Sequence, residues 1–486
     1  MEIISKRLMR LLAALSMERW FGLFLGIAVF GVVILHDPLF GMPDAAWRCV
    51  ALVLLMGIWW ATEAIPLAAT ALLPIPFIPM LDLGNMKAAT APYAHPTIYL
   101  FFGGFLLGVA MEKYNLHKRI ALWILNRVGT SPRTQIAGFM VATGFISMWV
   151  SNTATAIMML PIGISVASVI TSGQDYGESK RFSCALMLSI AYSASIGGLG
   201  TLIGTPPNAL LRAFLVEHYN IHVGFGQWML LGVPLSIVLG VLTWAWLVRK
   251  PFRFEGRNVH EYIHAELDRL GPVTLPEILV SAAFGCAALC WVFQPLIAKH
   301  LPFVGDTFIA MIFGLSLFII PLDLSTNKFL MGWSDTREMP WGVLLLFGGG
   351  LSLAGAINVS GLAAWMAEVL GSMQGVPFVF MIFILVIVVQ IMTEFTSNTA
   401  TTAAFLPLVG IMAVGQGLMP TMYAIPAALA ASCAFMLPVS TPPNAIVFRS
   451  GAITVSDMLR AGFVLTLTSG VVVTALVCLL VPSIFH

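Results

Sequence analysis

Two short polar sequences, each present twice, constrain this chain more than any other feature. Ser151-Asn152-Thr153-Ala154-Thr155 returns unchanged at Ser397-Asn398-Thr399-Ala400-Thr401. Thr205-Pro206-Pro207-Asn208-Ala209 returns unchanged at Thr441-Pro442-Pro443-Asn444-Ala445, and Phe102-Gly103-Gly104 returns as Phe347-Gly348-Gly349. The copies keep their order at offsets of 246, 236 and 245 residues, so the chain is a duplication. Small polar residues also let membrane helices pack closely, and Pro can simply kink them. Identical pentapeptides in matching order weigh against that plainer reading and point to a site built from both halves.

The halves are made of apolar runs. Of 486 residues, 59% are apolar and 9% charged, whereas a soluble globular domain carries about 25% charged residues. A run of roughly 20 apolar residues crosses a ~30 Å hydrocarbon core. Such runs predict spans near 20–36, 47–62, 65–82, 98–126, 183–217, 227–248, 275–294, 304–322, 341–370, 422–448 and 461–484. The alternating strands of a barrel are missing, so the expected class is an all-α polytopic membrane protein. Two further apolar stretches, about 134–172 and 376–416, are too long for one helix and carry Ser-Asn-Thr near their middles. They are predicted as re-entrant hairpins, because non-helical backbone at membrane depth is tolerated only beside protein or a water-filled cavity.

With the N-terminus inside, 20 of the 24 lysines and arginines fall on inner segments; Arg48, Lys87, Arg212 and Lys299 fall elsewhere. This positive-inside bias favours about 11 transmembrane helices plus two re-entrant hairpins, with the C-terminus outside. An odd number of crossings then separates the two Ser-Asn-Thr copies, which turns the second over. The result is an inverted repeat whose hairpin tips meet near the midplane, as in secondary transporters. Residues 1–19, with Lys6, Arg7 and Arg10 among apolar neighbours, predict an amphipathic interfacial helix. Residues 20–248 hold the first span and first repeat, 249–274 a cytoplasmic link, and 275–486 the second repeat.

At a hairpin tip the first arm ends in unpaired carbonyls and the second begins with unpaired N–H groups. Carbonyl, hydroxyl and Asn amide oxygens suit a hard cation, while N–H groups at a helix start attract a carboxylate. Pro-Pro removes backbone donors and prevents a continuous helix, which frees the carbonyl of Gly204 or Ser440 just before it. Neither tip carries Lys or Arg. A divalent anion there needs bound cations to offset the loss of its hydration.

These residues, together with Ala61-Thr62-Glu63-Ala64-Ile65-Pro66, resemble the divalent anion:sodium symporter family, the INDY-type carriers of C4-dicarboxylates and citrate. The resemblance covers nearly the whole chain. It implies a first Na+ site from Ser147, Ser151, Asn152 and a glycine carbonyl, Gly204 or Gly200, and a second from Thr393, Ser397, Asn398 and the Ser440 carbonyl. Substrate carboxylates would meet Asn152, Thr153, Asn398, Thr399, Thr441 and Pro442. The family is dimeric and works as an elevator. Ala154-Thr155-Ala156 after the first tip resembles the sodium-coupled branch, whereas exchangers carry Ala-Arg-Gly or Ala-Arg-Ser there. Ser440 stands where many relatives have Ala, which leaves open whether its hydroxyl is a ligand.

The expected function is Na+-coupled symport of succinate, malate or fumarate by a homodimer in a bacterial inner membrane, with Na+ as co-transported ion, lipid as solvent and no nucleic-acid partner. A citrate or dicarboxylate exchanger is the alternative within the class. A zinc hydrolase is the remote one, since His260-Glu261-Tyr262-Ile263-His264 matches HExxH; a bare motif in a charged link carries little weight. Glu394 has two readings, as a charge near the second cation site (or a proton carrier) and as a buried structural partner. Glu63 reads as a helix-terminal or packing residue. Arg212 reads as snorkelling to the outer interface, with anion contact as the weaker reading. Asn358-Val359-Ser360 matches a glycosylation sequon but lies inside a predicted span, and the six cysteines read as packing residues.

Overall fold

The computed structural model describes residues 17–39, 41–172, 174–252, 259–323, 325–371 and 377–485. The expected amphipathic segment 1–19 thus lies almost wholly outside the described residues, as do Arg253 and Arg257 of the link. The first half comprises α1 (Met17–Leu35), α2 (Asp44–Thr62), the short α3 (Leu67–Thr70), α4 (Pro74–Met80) and α5 (Met86–Thr90). It continues with α6 (Pro96–Lys113), α7 (Leu116–Asn126), α8 (Pro132–Ser147), α9 (Asn152–Thr171), α10 (Tyr176–Gly198), α11 (Pro206–Tyr219) and α12 (Phe225–Leu247). After α13 (Val259–Leu270), the second half opens with α14 (Leu275–Val292), α15 (Gln294–His300), α16 (Asp306–Ser316), α17 (Trp341–Val359) and α18 (Leu362–Gly371). It closes with α19 (Phe378–Phe395), α20 (Asn398–Gly415), α21 (Thr421–Ala431), α22 (Pro442–Phe448) and α23 (Val455–Ile484).

Among the described residues nine helices are long and apolar enough to cross a membrane, and four shorter apolar helices accompany them. The protein is a polytopic α-helical membrane protein. Strand structure among the described residues amounts to a hairpin pairing Pro321–Asp323 with Lys328–Phe329. Helix starts follow local chemistry. Thr274 with Glu277 and Thr454 with Asp457 form capping boxes at α14 and α23, and Ser131 caps α8 ahead of Pro132.

Four predicted spans are interrupted, in two different ways. The runs 183–217 and 422–448 stop at Gly198 and Ala431 and restart at Pro206 and Pro442, because each Thr-Pro-Pro denies the backbone its donors. The runs 98–126 and 341–370 turn at Asn115 (φ 54°) and Gly361 (φ 79°), where left-handed backbone ends one helix and begins another. The bend at Gly361 joins two apolar helices and leaves no mark in hydropathy, whereas the one at Asn115 lies among Glu112, Lys113, His117, Lys118 and Arg119, a polar signal that the predicted span 98–126 runs through.

The helices form two packed groups. One contains α2, α3, α6, α14, α16 and α17; the other contains α8 to α12 and α19 to α23. The repeated Phe-Gly-Gly belongs to the first group. A Cβ on Gly103 would fall 2.4 Å from the Ala310 backbone in α16, and one on Gly349 would fall 2.2 Å from the Ala71 carbonyl beside α3. Each half thus presses its glycine pair onto a helix from the other half, an approach only small residues allow. Phe101 and Phe347 meet edge-to-face at 5.3 Å between these contacts. The two groups touch through α11 against α6 and α17, α12 against α14, and α20 against α2 and α17, while α18 packs on α20, α17 and α2.

Candidate functional site

Each Ser-Asn-Thr forms a tight turn between two helices. Ser147 ends α8 and Asn152 begins α9, with the Ser151 hydroxyl accepting the Ala154 N–H at 3.2 Å. Thr393 lies in the last turn of α19, and Asn398 begins α20. The same three-membered contact then recurs. The Ser147 hydroxyl lies 2.6 Å from Asn152 Oδ1 and 2.6 Å from the Ala194 carbonyl. The Thr393 hydroxyl lies 2.8 Å from Asn398 Oδ1 and 2.8 Å from the Ala431 carbonyl. Ser147 and Thr393 are fully buried behind their tips.

At the first turn the Asn152 amide oxygen faces acceptors alone: Ser147 Oγ at 2.6 Å, the Ala194 carbonyl at 3.1 Å and the Gly204 carbonyl at 3.2 Å. With its nitrogen turned inward the same amide donates to these oxygens, so the contact is satisfied within the protein. Gly204, not Gly200, is the glycine that reaches this cluster and the adjoining cavity. Gly198 makes the room, since a Cβ there would sit 2.8 Å from Asn152 Oδ1 and 3.0 Å from the Gly204 carbonyl.

At the second turn the Ser440 hydroxyl is engaged within its loop, donating to the Leu437 carbonyl at 2.7 Å and accepting from Asn444 Nδ2 at 3.1 Å. Its own carbonyl remains the ligand candidate. Ser397 lines the cavity beside Asn398.

Both turns open into one cavity of about 1390 Å³. Asn152, Thr153, Asn398, Thr399, Thr441 and Pro442 all line it, so the residues expected to meet substrate come together on one surface. The N-termini of α9 and α20 end there, and each brings unpaired N–H groups and a partial positive charge. The far end of the cavity is charged, with Arg19, Glu63, Glu112 and Glu338 on its wall.

Some residues hold places that the sequence did not assign. Asn208 and Asn444 were legible as parts of the repeated motif, but not as clamps on the loops before it. Thr201 donates to the Met148 carbonyl and accepts the Gly204 N–H at 3.1 Å, closing the first loop on its tip. Glu394 is fully buried and accepts three consecutive backbone N–H groups, from Phe435 at 2.7 Å, Met436 at 2.9 Å and Leu437 at 3.0 Å. Glu63 sits at the C-cap of α2 with φ 47°, the helix-terminal place read from the sequence, and it also lines the cavity, which the sequence did not assign.

One sequence reading is corrected. Arg212 does not snorkel outward or meet the cavity; it is buried against Asp306 of α16, 3.2 Å away. Asn358 bonds the His218 ring at 2.9 Å, so its side chain is used in packing. His260, Glu261 and His264 lie on α13, and no group among the described residues gathers three metal-ligating side chains.

Residues 17–483 match the family described as "Sodium:sulfate symporter transmembrane region". The chain is 40% identical to the sodium-dependent dicarboxylate transporter SdcS of Staphylococcus aureus strain USA300, over 99% of this chain and 96% of that protein. The SdcS of strain MRSA252 matches to the same extent. Among solved structures, Neisseria gonorrhoeae MtrF, described as belonging to a class of antimetabolite efflux pumps, aligns over 91% of this chain and 96% of its own, with TM-score 0.58 and 12% identity. The Alcanivorax borkumensis YdaH transporter aligns over 90% and 98%, with TM-score 0.54 and 14% identity. At those identities the two structures speak to the fold alone. A match that runs from α1 to α23 assigns the whole chain at once and leaves no place for the zinc hydrolase: it belongs to the sodium:sulfate symporter family of membrane transporters, the divalent anion:sodium symporters that its doubled motifs resemble.

Proposed function

We propose that this protein is a Na+-coupled symporter of C4-dicarboxylates such as succinate, malate and fumarate, with Na+ held at two cages and the anion between the tips. The cluster around Asn152 carries the reading. The Ser147 hydroxyl, the Asn152 amide and the Ala194 and Gly204 carbonyls converge at the first turn, and the hydroxyl–amide–carbonyl part recurs around Asn398. Ser151, Ser397 and the Ser440 carbonyl complete the proposed cation ligands. A dianion then faces the Asn, Thr and helix N-terminal donors, with cation charge replacing the absent Lys or Arg. The 40% identity to a sodium-dependent dicarboxylate transporter supports the choice of ion and anion.

In this reading the halves are an inverted repeat of about 11 crossings and two hairpins, the C-terminus is outside, and the protein is a lipid-embedded homodimer in a bacterial inner membrane. The group containing α8 to α12 and α19 to α23 carries the site past the other group. By the positive-inside rule the end bearing Arg19 and Glu338 is cytoplasmic, so the cavity faces inward.

Uptake of labelled succinate into proteoliposomes tests the proposal. Accumulation driven by an inward Na+ gradient, absent with K+, is the expected result. Uptake indifferent to Na+ but dependent on internal dicarboxylate would make the protein an exchanger and remove both cation cages.

A further inference from the structure

The loops before the two Thr-Pro-Pro motifs supply the carbonyls of Gly204 and Ser440, yet they lie outside any helix. Something other than helical hydrogen bonds must hold them in shape. In the first loop Asn208 Nδ2 lies 2.8 Å from the Thr201 carbonyl, 3.3 Å from Gly198 and 3.5 Å from Leu199. In the second, Asn444 Nδ2 lies 3.0 Å from the Leu437 carbonyl, 3.4 Å from Ala434 and 3.1 Å from the Ser440 hydroxyl. At the motif offset of 236, Leu437 answers to Thr201 and Ala434 to Gly198, so each Asn grips the same two carbonyls. The loops themselves are unlike: Leu199-Gly200-Thr201-Leu202-Ile203 in one, Phe435-Met436-Leu437-Pro438-Val439 in the other. The grip is retained where the loop sequence is not.

Both asparagines are fully buried and neither lines the cavity. Contact with substrate therefore does not explain them. Each also has a buried Oδ1 with no protein donor, a loss that a purely structural residue need not incur. An apolar side chain would fill the space without it.

We propose that Asn208 and Asn444 are positioning residues that fix the size of the two cation cages, and so set the preference for Na+ over Li+. The proposal rests on the Na+-coupled reading above. Selection between hard cations depends on cage size and rigidity. A loop pinned at two of its carbonyls holds the neighbouring Gly204 or Ser440 carbonyl at a set distance from the ion; a released loop lets that carbonyl follow a smaller ion inward. Loss of the donor weakens Na+ binding and lowers the discrimination against Li+, while the anion donors at the hairpin tips stay in place.

Full-length Asn208→Ala and Asn444→Ala, each in proteoliposomes, test this. Three quantities are measured: apparent Na+ affinity, the ratio of Li+-driven to Na+-driven succinate uptake, and succinate affinity at saturating Na+. We expect Na+ affinity to fall about tenfold, in line with the loss of one to two net hydrogen bonds. The Li+ ratio rises, and succinate affinity stays within about twofold, since uniform damage would move all three together. Folded variants with wild-type Na+ affinity and Li+ ratio, or a matching fall in succinate affinity, overturn the clamp. If either Ala variant fails to fold, Asn208→Ser and Asn444→Ser, which keep one shorter donor, are read by the same criteria. The wild type separates the two ideas: Na+-indifferent uptake removes the coupled reading and the clamp with it, whereas Na+-dependent uptake with unchanged variants removes the clamp alone.

Discussion

Arg212 of α11 and Asp306 of α16 are joined across the two packed groups, Nη2 to Oδ2 at 3.2 Å, in surroundings that leave both side chains largely buried. Asp306 Oδ2 also accepts the Phe225 N–H at 3.1 Å, and the Asp306 carbonyl accepts the Trp291 indole N–H at 3.1 Å. Two further polar contacts leave α11 for the same group. His95 Nδ1 accepts the Thr97 N–H, so its Nε2 carries the proton and donates to Glu217 at 3.3 Å. His218 meets Asn358 of α17 at 2.9 Å. The repeat-related α22 is different: Pro442, Pro443 and Ala445 face the cavity. Of the two equivalent helices, α11 is tied by polar contacts to the other group and α22 packs on α9 and α10 and borders the cavity, an asymmetry that fits a carrier in one of two end states.

Arg212→Ala leaves Asp306 buried without its counter-charge, a loss of about 3–5 kcal/mol for a buried pair. That loss falls on the present conformation and shifts the population away from it. The reporter is Val439→Cys, at a cavity residue that is 81% exposed, labelled with a membrane-impermeant thiol reagent and read by peptide mass. In the Arg212→Ala background labelling from the side the cavity now faces should fall several-fold. Unchanged labelling with impaired uptake would make the pair a structural brace with no preference between states.

Gly198→Ala tests the first cage by filling it. The new Cβ would stand 2.8 Å from Asn152 Oδ1 and 3.0 Å from the Gly204 carbonyl, between two of the four convergent oxygens. Ala434, its counterpart in the second loop, already carries a Cβ. Crowding of this kind costs about 1–3 kcal/mol. Because that burden falls where the cation would bind, Na+-dependent thermal stabilisation in detergent should weaken by roughly tenfold in Na+ concentration. An unfolding midpoint without Na+ that drops as far as the midpoint with it would place the damage in packing.

The sequence made legible whatever was written twice. Repetition marked the two turns, the two broken helices and the glycine contacts, and the family resemblance pointed to candidate substrate residues that do share one cavity. Its limits are just as physical. Hydropathy cannot see the turn at Gly361, because a helix end set by left-handed backbone needs no change in polarity. Arg212 and Asp306 are 94 residues apart, and only tertiary packing pairs them. Asn208 and Asn444 stood inside the recognised motif, yet their role depends on where the preceding loop folds back, which one-dimensional spacing does not state.

Glu394 distinguishes the second site from the first, where Met148 holds the matching position. Its three donors are all main-chain N–H groups of the loop that ends at Ser440. Glu394→Gln keeps one acceptor and turns an amide NH2 toward a backbone N–H, so at least one buried donor goes unpaired at a cost of about 1–3 kcal/mol. The loop carrying the Ser440 carbonyl loosens, and Na+ affinity drops. Glu394→Asp retains the charge but shortens the reach. If the carboxylate's charge matters more than its bonds, Asp recovers most Na+ affinity and Gln does not; if its bonds dominate, both fail alike. Wild-type Na+ dependence in Glu394→Gln would leave the residue no role at the second cage.

Glu266 on α13, outside the spans, gives a pH signature for the link. Its carboxylate pairs with Lys118 of α7 at 3.2 Å and with Arg269. Burial pushes its pKa up, but the hydrogen bonds and charges of Lys118 and Arg269 outweigh burial and hold it below its ordinary value of 4.5. A depressed folded pKa stabilises the protein above the unfolded value, and that stabilisation disappears as pH falls through the folded one. For a partly exposed cluster it amounts to about 1 kcal/mol or less. Glu266→Gln should therefore lower the thermal midpoint by a degree or two at neutral pH. The gap to wild type should close as pH falls below 4.5 and through the depressed folded value, where the wild-type carboxylate also gains its proton. A gap of constant size down to pH 3 would mean that shape and packing, not charge, hold α13 against α7.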